Sequence, residues 1–133
     1  MRIVLASAVL GALNWTINPN RPPFSPETLQ EGEIDLVGLG ALGDPIYLDA
    51  RSLSEFEEAH IPGAMLLNED DWDQRVLAFI DRWEPGQTIV VYCSSLACQA
   101  SHAVAERLKA EMGIDEVFVL KGGWEVWQEA NDS

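Results

Sequence analysis

Short, wholly apolar segments alternate with amphipathic ones along this sequence, and that alternation limits the fold more than any other feature. The stretches "PIYLDA" (45–50), "TIVVYC" (88–93) and "EVFVL" (116–120) have the length and the β-branched residues of buried strands. The segments 69–83 and 101–112 carry apolar residues at helical spacing. Strands and helices that alternate at these distances predict an α/β domain with a mainly parallel sheet.

The segment "EDDWDQRVLAFIDRW" (69–83) predicts an amphipathic helix. Its first turn is acidic, which suits the positive end of the helix dipole. The predicted apolar face consists of Trp72, Val76, Phe79, Ile80 and Trp83. We expect this face to pack on the sheet.

Three further segments have local signals. Ser52 and Glu55 have the spacing of a capping box, so a short helix is predicted to begin there. The stretch "AMLL" (64–67) is a candidate strand, and "KGGWEVWQEA" (121–130) turns through two glycines into a last helix. The glycine-rich segment 31–45 is ambiguous between strand, helix and loop.

The N-terminal segment differs from the rest of the chain. An apolar run from Ile3 to Leu13 leads into "NWTINPNRPPF" (14–24), which has the composition of a linker. We therefore predict an apolar segment with its linker at 1–24 and a folded domain at 25–133, beginning with a helix start at Ser25 and Pro26. The chain of 133 residues is 47% hydrophobic, enough for one domain with its own core.

The apolar run 3–13 is too short to span a bilayer, which needs about 20 residues. Three interpretations remain open: an uncleaved anchor or its tail, a poor signal peptide, or an apolar helix docked on the domain. The sequence leaves the compartment undecided between cytoplasmic and membrane-associated through residues 3–13.

The net charge of −14 limits the partners of this protein. It argues against nucleic acid, because few cations are available to neutralise phosphates, and it disfavours anionic lipid for the same reason. Small anionic substrates are also repelled unless a site concentrates positive potential locally. The two cysteines are too few for a disulfide-stapled fold, so their close spacing indicates either local chemistry or nothing.

Cys93 ends an apolar strand and precedes a loop of small residues and a helix. Ligands of parallel sheets bind beyond the carboxyl ends of the strands. The N-terminus of a helix adds unpaired backbone N–H groups and positive potential, which lower the pKa of a thiol placed there. The sequence therefore predicts an anion-binding loop around a nucleophilic sulfur. A buried, inert cysteine that only closes the strand is the alternative.

Cys98 lies five residues beyond Cys93 and gives the loop a second thiol. Attack by Cys98 on a persulfide of Cys93 would release sulfide and leave a disulfide. Alternatively, Cys98 faces the following helix and only packs. His102, in the first turn of that helix, is expected to be a solvated surface histidine.

Three stretches of the sequence resemble the rhodanese-homology domain, in order and at matching spacing: "YLDARSLSEFEEAHIPGAMLL" (47–67), "IVVYCSSLACQAS" (89–101) and "VFVLKGGWEVW" (117–127). The resemblance covers residues 25–129. It implies a three-layer fold, with a mainly parallel five-stranded sheet and helices on both faces. Active members of the family are sulfurtransferases. Their cysteine attacks a sulfane sulfur, becomes a persulfide, and passes that sulfur to a thiophilic acceptor such as cyanide or a thiol.

The resemblance assigns roles to individual residues. Cys93 matches the persulfide-forming nucleophile. The substrate-binding loop is matched by Ser94, Ser95, Leu96, Ala97, Cys98 and Gln99. Supporting positions are matched by Asp49, Arg51, Gly122 and Gly123. We expect Arg51 to pair with Glu55, four residues on, in a structural role.

The loop "SSLACQ" (94–99) departs from the family pattern because it contains no arginine or lysine. Losing one charge-assisted hydrogen bond, about 1.5–3 kcal/mol, weakens thiosulfate capture by roughly tenfold to a hundredfold. We therefore expect weak thiosulfate activity and better use of a neutral persulfide or a protein donor. Related phosphatases end this loop in an arginine, and its absence here argues against phosphoryl transfer.

The sequence thus predicts a rhodanese-like sulfurtransferase that carries sulfur on Cys93. Its expected partners are a small sulfur donor or a persulfide-carrying protein and a thiol acceptor, with no nucleic acid and with membrane contact only through residues 3–13. No metal or organic cofactor is implied. The alternatives are a thiol–disulfide redox module of Cys93 and Cys98, and a catalytically silent rhodanese-homology module that only binds a partner.

Overall fold

The computed structural model describes residues 29–95 and 99–131. Within these ranges the strands are β1 (Glu33–Ile34), β2 (Ile46–Asp49), β3 (Met65–Leu66), β4 (Ile89–Tyr92) and β5 (Val117–Leu120). The helices are α1 (Leu36–Gly40), α2 (Leu53–Glu58), α3 (Trp72–Arg82), α4 (Ala100–Met112) and α5 (Gly123–Asn131). Strands and helices alternate from β1 to α5, which confirms the predicted α/β class.

The strands form one parallel sheet in the order β1-β5-β4-β2-β3. The central strand β4 pairs with β2 on one side and with β5 on the other. All four residues of β4 are fully buried, as expected for a wholly apolar segment in the middle of a parallel sheet. Because the strands are parallel, all their carboxyl ends meet at one edge of the sheet, and Cys93 follows the central one.

Helices cover both faces of the sheet, because alternate strand residues point into two separate cores. On one face, Leu48, Ile89 and Val91 pack in a core to which α3 and α4 contribute. On the other face, Val90 and Tyr92 pack in a core to which α1, α2 and α5 contribute. The three-layer architecture implied by the family resemblance is confirmed.

The capping box predicted at the start of α2 is present. The Ser52 hydroxyl accepts a hydrogen bond from the Glu55 backbone N–H at 3.2 Å, and the Glu55 carboxylate accepts one from the Ser52 backbone N–H at 3.3 Å. Two N–H groups that have no partner within the helix are thereby satisfied. The carboxylate of Glu55 is therefore used at the helix start.

The predicted apolar face of α3 is correct except at one residue. Trp72 and Phe79 are buried, and Val76 and Trp83 pack partly buried against the same core. Ile80 instead is 40% exposed. At 100° per residue, Ile80 lies about 80° around the helix from Trp72, so it falls at the margin of the apolar stripe rather than on it.

The expectation about localisation requires correction. None of the helices in the described ranges is both long enough and apolar enough to cross a membrane. The segment 3–13, on which membrane association depended, lies outside the described residues, as does the helix start expected at Ser25 and Pro26. No apolar membrane segment is therefore shown, and the division between 1–24 and 25–133 stays a prediction.

Candidate active site

Cys93 lies at the carboxyl end of the central strand, with only 3% of its surface exposed. Ser94 and Ser95, which follow it, are half-buried. The Sγ of Cys93 lies 4.0 Å from the Oγ of Ser94, a long and weak contact. The sulfur is disulfide-bonded in the structure, so a thiolate at this position requires prior reduction.

The far end of the predicted loop leads directly into α4. Leu96, Ala97 and Cys98 lie outside the described residues, and the description resumes at Gln99. Gln99 is the N-cap of α4, and its side chain makes no capping hydrogen bond. The order of strand, loop and helix N-terminus is the arrangement on which the anion-binding hypothesis depends.

The two glycines between β5 and α5 allow the backbone to approach the loop closely. Both have positive φ, +85° at Gly122 and +56° at Gly123. The first N–H groups of α5 reach the loop: Trp124 N–H donates to the Cys93 carbonyl at 2.7 Å, and Glu125 N–H donates to the Ser94 carbonyl at 3.1 Å. A Cβ at Gly123 would overlap the Cys93 carbonyl, which explains why glycine is required there.

Asp49 and Arg51 form a buried network with Tyr92, the residue before Cys93. The Asp49 carboxylate accepts hydrogen bonds from Arg51 Nε at 3.0 Å and Nη2 at 2.8 Å, and from the Tyr92 hydroxyl at 2.8 Å. The Tyr92 oxygen in turn accepts one from the backbone N–H of Ile61 at 3.1 Å. Burial, together with Asp49, raises the pKa of Tyr92 well above its usual value, so the phenol stays protonated as a donor. The network fixes the end of β4 from which Cys93 extends.

The predicted pair of Arg51 with Glu55 is wrong. Arg51 binds Asp49 instead, and its Nη2 also donates to the Ala59 carbonyl at 2.6 Å. The guanidinium lies 4.8 Å from the ring centroid of Trp124, a cation–π distance. Arg51 prefers Asp49 because that carboxylate is fully buried and needs a cation, whereas the carboxylate of Glu55 caps α2.

A cavity of about 260 Å³ opens beyond the carboxyl ends of β2 and β3. It is bounded by Ala50, Arg51, Ser52, Asn68, Glu69, Asp70, Ala100 and Val104. The Asn68 side chain is held in place by donating to the Arg51 carbonyl at 2.7 Å. The cavity reaches the first turn of α4, the helix that follows the loop.

A second group of ionisable residues lies on the opposite side of the loop. The Glu33 carboxylate is 3.3 Å from His102 Nε2 and 3.8 Å from Lys121 Nζ. His102 was expected to be a solvated surface residue, but its side chain is one-third exposed and contacts Glu33, whose side chain is 8% exposed. A water-sized cavity of about 20 Å³ separates this group from Ser95.

Sequence reasoning missed two parts of this site. Tyr92 had a usable signal, because a tyrosine in a fully apolar strand needs a hydrogen-bond partner for its hydroxyl. The cluster of Glu33, His102 and Lys121 had none, because β1 lay in the segment 31–45, whose glycines left its structure ambiguous.

The fold and this site define a class of protein: a three-layer α/β domain whose central parallel strand ends in a cysteine-containing loop, held by a two-glycine turn. Comparison with protein-family models identifies the class. The model described as the rhodanese-like domain matches residues 35–130, and the chain belongs to that family.

Several known proteins resemble the chain along most of its length. The thiosulfate sulfurtransferase GlpE of Shewanella oneidensis is 32% identical over 84 residues, covering 63% of this chain and 76% of GlpE. The BH2092 protein of Bacillus halodurans superposes with a TM-score of 0.61 at 26% identity, covering 74% of this chain and 72% of BH2092. The rhodanese-like domain of the Alr3790 protein from Anabaena superposes with a TM-score of 0.57 at 30% identity, covering 77% and 76% of the two chains.

Proposed function

We propose that this protein is a sulfurtransferase that carries a sulfane sulfur on Cys93 as a persulfide. The observation that carries the proposal is the position of Cys93, at the carboxyl end of the central strand and ahead of the N-terminus of α4. A thiolate there is stabilised by the helix dipole and by backbone N–H groups. The similarity to the thiosulfate sulfurtransferase GlpE supports the same chemistry.

The proposed reaction has two displacement steps. In the first, the Cys93 thiolate attacks the outer sulfur of the donor, forming a new S–S bond and expelling the remainder of the donor with the electron pair; thiosulfate would leave as sulfite. In the second, the thiolate of an acceptor attacks the outer sulfur of the Cys93 persulfide and regenerates the Cys93 thiolate. Charge is conserved in each step, and no external oxidant or reductant is needed once Cys93 is reduced.

The other predicted site residues have supporting roles in this proposal. Ser94, Ser95 and Gln99 belong to the loop that would surround the sulfur. The turn at Gly122 and Gly123 holds that loop through the hydrogen bond from Trp124 to the Cys93 carbonyl. Asp49 and Arg51 act through Tyr92 on the end of β4. The donor would be a small sulfane-sulfur compound or a protein persulfide, and the acceptor a thiol.

The experiment is sulfur loading of the reduced protein with several sulfane donors, followed by mass spectrometry. We expect one added sulfur on Cys93, its removal by an acceptor thiol, and complete loss of both in Cys93→Ser. Cys98→Ser is the matched control, because it removes the other cysteine of the sequence and should still accept sulfur. Equal turnover by Cys93→Ser, or no loading from any donor, would refute the proposal. The second result would favour a silent binding module.

A thiol–disulfide redox module is the second candidate function. It is favoured by one observation, the disulfide bond of Cys93. In that case a sulfane donor leaves no added sulfur, and the reduced protein instead loses two hydrogens when a disulfide substrate is reduced. Cys98→Ser separates the two candidates, since it would abolish dithiol chemistry and leave sulfur loading intact.

A further inference from the structure

Ionisable side chains from three parts of the fold converge behind the active loop. Glu33 comes from β1, His102 from the first turn of α4, and Lys121 from the residue directly after β5. Glu33 joins the other two through its two carboxylate oxygens, Oε2 to His102 at 3.3 Å and Oε1 to Lys121 at 3.8 Å. The elements that carry these residues flank the loop, because β5 adjoins β4 and α4 follows the loop.

Two of the three members, Glu33 and Lys121, are largely removed from water, whereas His102 is one-third exposed. The side chain of Glu33 is 8% exposed and that of Lys121 is 17% exposed. Charges that are shielded from solvent act over longer distances than surface charges, because less water and salt screen them. A cluster of this kind can therefore affect the loop even though the protein as a whole carries a charge of −14.

The cluster adjoins the loop itself. Glu33, His102 and Lys121 share a cavity of about 20 Å³ with Ser95, two residues after Cys93. A space of that size holds about one water molecule. Lys121 also precedes Gly122 and Gly123, the turn whose following N–H groups donate to the carbonyls of Cys93 and Ser94. The short segment 121–125 therefore carries the ammonium group of Lys121 and also donates hydrogen bonds to the loop.

From these observations we infer that Lys121 is a specificity-determining residue that supplies, from outside the loop, the positive charge that "SSLACQ" lacks. Glu33 is a positioning residue that anchors the ammonium and partly neutralises it, and His102 shares that carboxylate. The inference rests on the proposed function and extends it to the donor: anionic sulfur donors are favoured over neutral ones of similar size. The weak capture of thiosulfate expected from the loop alone is thereby offset.

The first test compares donors of different charge in Lys121→Met. We expect KM for thiosulfate to rise about fivefold to tenfold, as for the loss of one partly screened charge interaction. We expect KM for a neutral organic trisulfide to stay unchanged, and Lys121→Arg to restore thiosulfate use. The matched control is Lys109→Met, which removes the other lysine of the sequence; Lys109 lies in the last turn of α4, whereas His102 lies in the first. An equal rise for both donors would mean a structural role and would overturn the inference.

The second test does not depend on sulfur transfer. Reduced protein is alkylated with iodoacetate, an anion, or with iodoacetamide, its neutral counterpart, and the rates at Cys93 are followed by peptide mass spectrometry. We expect the ratio of the two rates to fall about fivefold in Lys121→Met and to rise in Glu33→Gln, which removes the negative charge that opposes Lys121. The inference would be overturned if the rate ratio shifted in the same direction in both variants, or if it did not change in Lys121→Met. If both variants shift the ratio as expected but the protein forms no persulfide from any donor, only the proposed function is refuted.

Discussion

Replacing Gly123 with alanine should damage the active loop more than the loss of a glycine elsewhere. Gly123 has φ +56°, where an L-residue costs about 1–2 kcal/mol. The added Cβ would also overlap the Cys93 carbonyl oxygen, which belongs to the backbone and cannot rotate away. Relief of the overlap stretches or breaks the 2.7 Å hydrogen bond from Trp124, at about 1 kcal/mol. We therefore expect a total loss of about 2–3 kcal/mol in the free energy of unfolding.

Gly113→Ala is the matched control for this prediction. Gly113 also has positive φ, +66°, at the C-cap of α4, and a Cβ there would contact nothing within 4 Å. Gly113→Ala should therefore lower the free energy of unfolding only by the cost of an L-residue at positive φ, about 1–2 kcal/mol. Urea unfolding of both variants measures the difference, and sulfur loading of Cys93 should fall in Gly123→Ala alone. If the two variants lose equal stability and equal activity, the close approach of the turn to Cys93 does not hold the loop.

Two further predictions concern the buried network. Tyr92→Phe removes a donor to Asp49 and an acceptor from Ile61, and should lower the free energy of unfolding by about 1–3 kcal/mol. Because burial raises the pKa of Tyr92, the wild-type stability that depends on this phenol is fully present below pH about 10 and is lost as pH rises further. Urea unfolding against pH should therefore show a shallower alkaline decline in Tyr92→Phe, and identical slopes would contradict this. Asp49→Asn leaves the Arg51 cation buried without its carboxylate and should lower the free energy of unfolding by about 3–5 kcal/mol. A loss smaller than that of Tyr92→Phe would refute this second prediction.

The layered α/β fold could be predicted from the sequence because the elements from β2 onward carry their own signals. The wholly apolar β4 is buried on both faces, and the capping box at Ser52 sets the start of α2. The position of Cys93 followed from the same logic, since a strand must end where its apolar run ends. The error at Ile80 arose because spacing gives the direction of a helical face but not its width.

The partner of Arg51 could not be predicted in the same way, although Asp49 is only two residues away. The pairing of Arg51 depends on which carboxylate is buried beside it, and local spacing favoured Glu55 over Asp49 only because surface helix pairs follow an i,i+4 rule. Burial reverses that preference, since an ionised carboxylate removed from water must have a cation. A sequence does not state which acids will be buried until the strand order is known.

The charge of the proposed site illustrates the same principle. Counting cations in "SSLACQ" gave none, and that count led to the expectation of weak thiosulfate capture. A site at the edge of a parallel sheet is assembled from the ends of several strands, however, so its charge is a property of the strand order. Because β5 lies between β1 and β4, Lys121 and Glu33 meet beside the loop although 88 positions separate them in the sequence (121 less 33). The electrostatics of the loop therefore include groups that no inspection of the loop sequence can reveal.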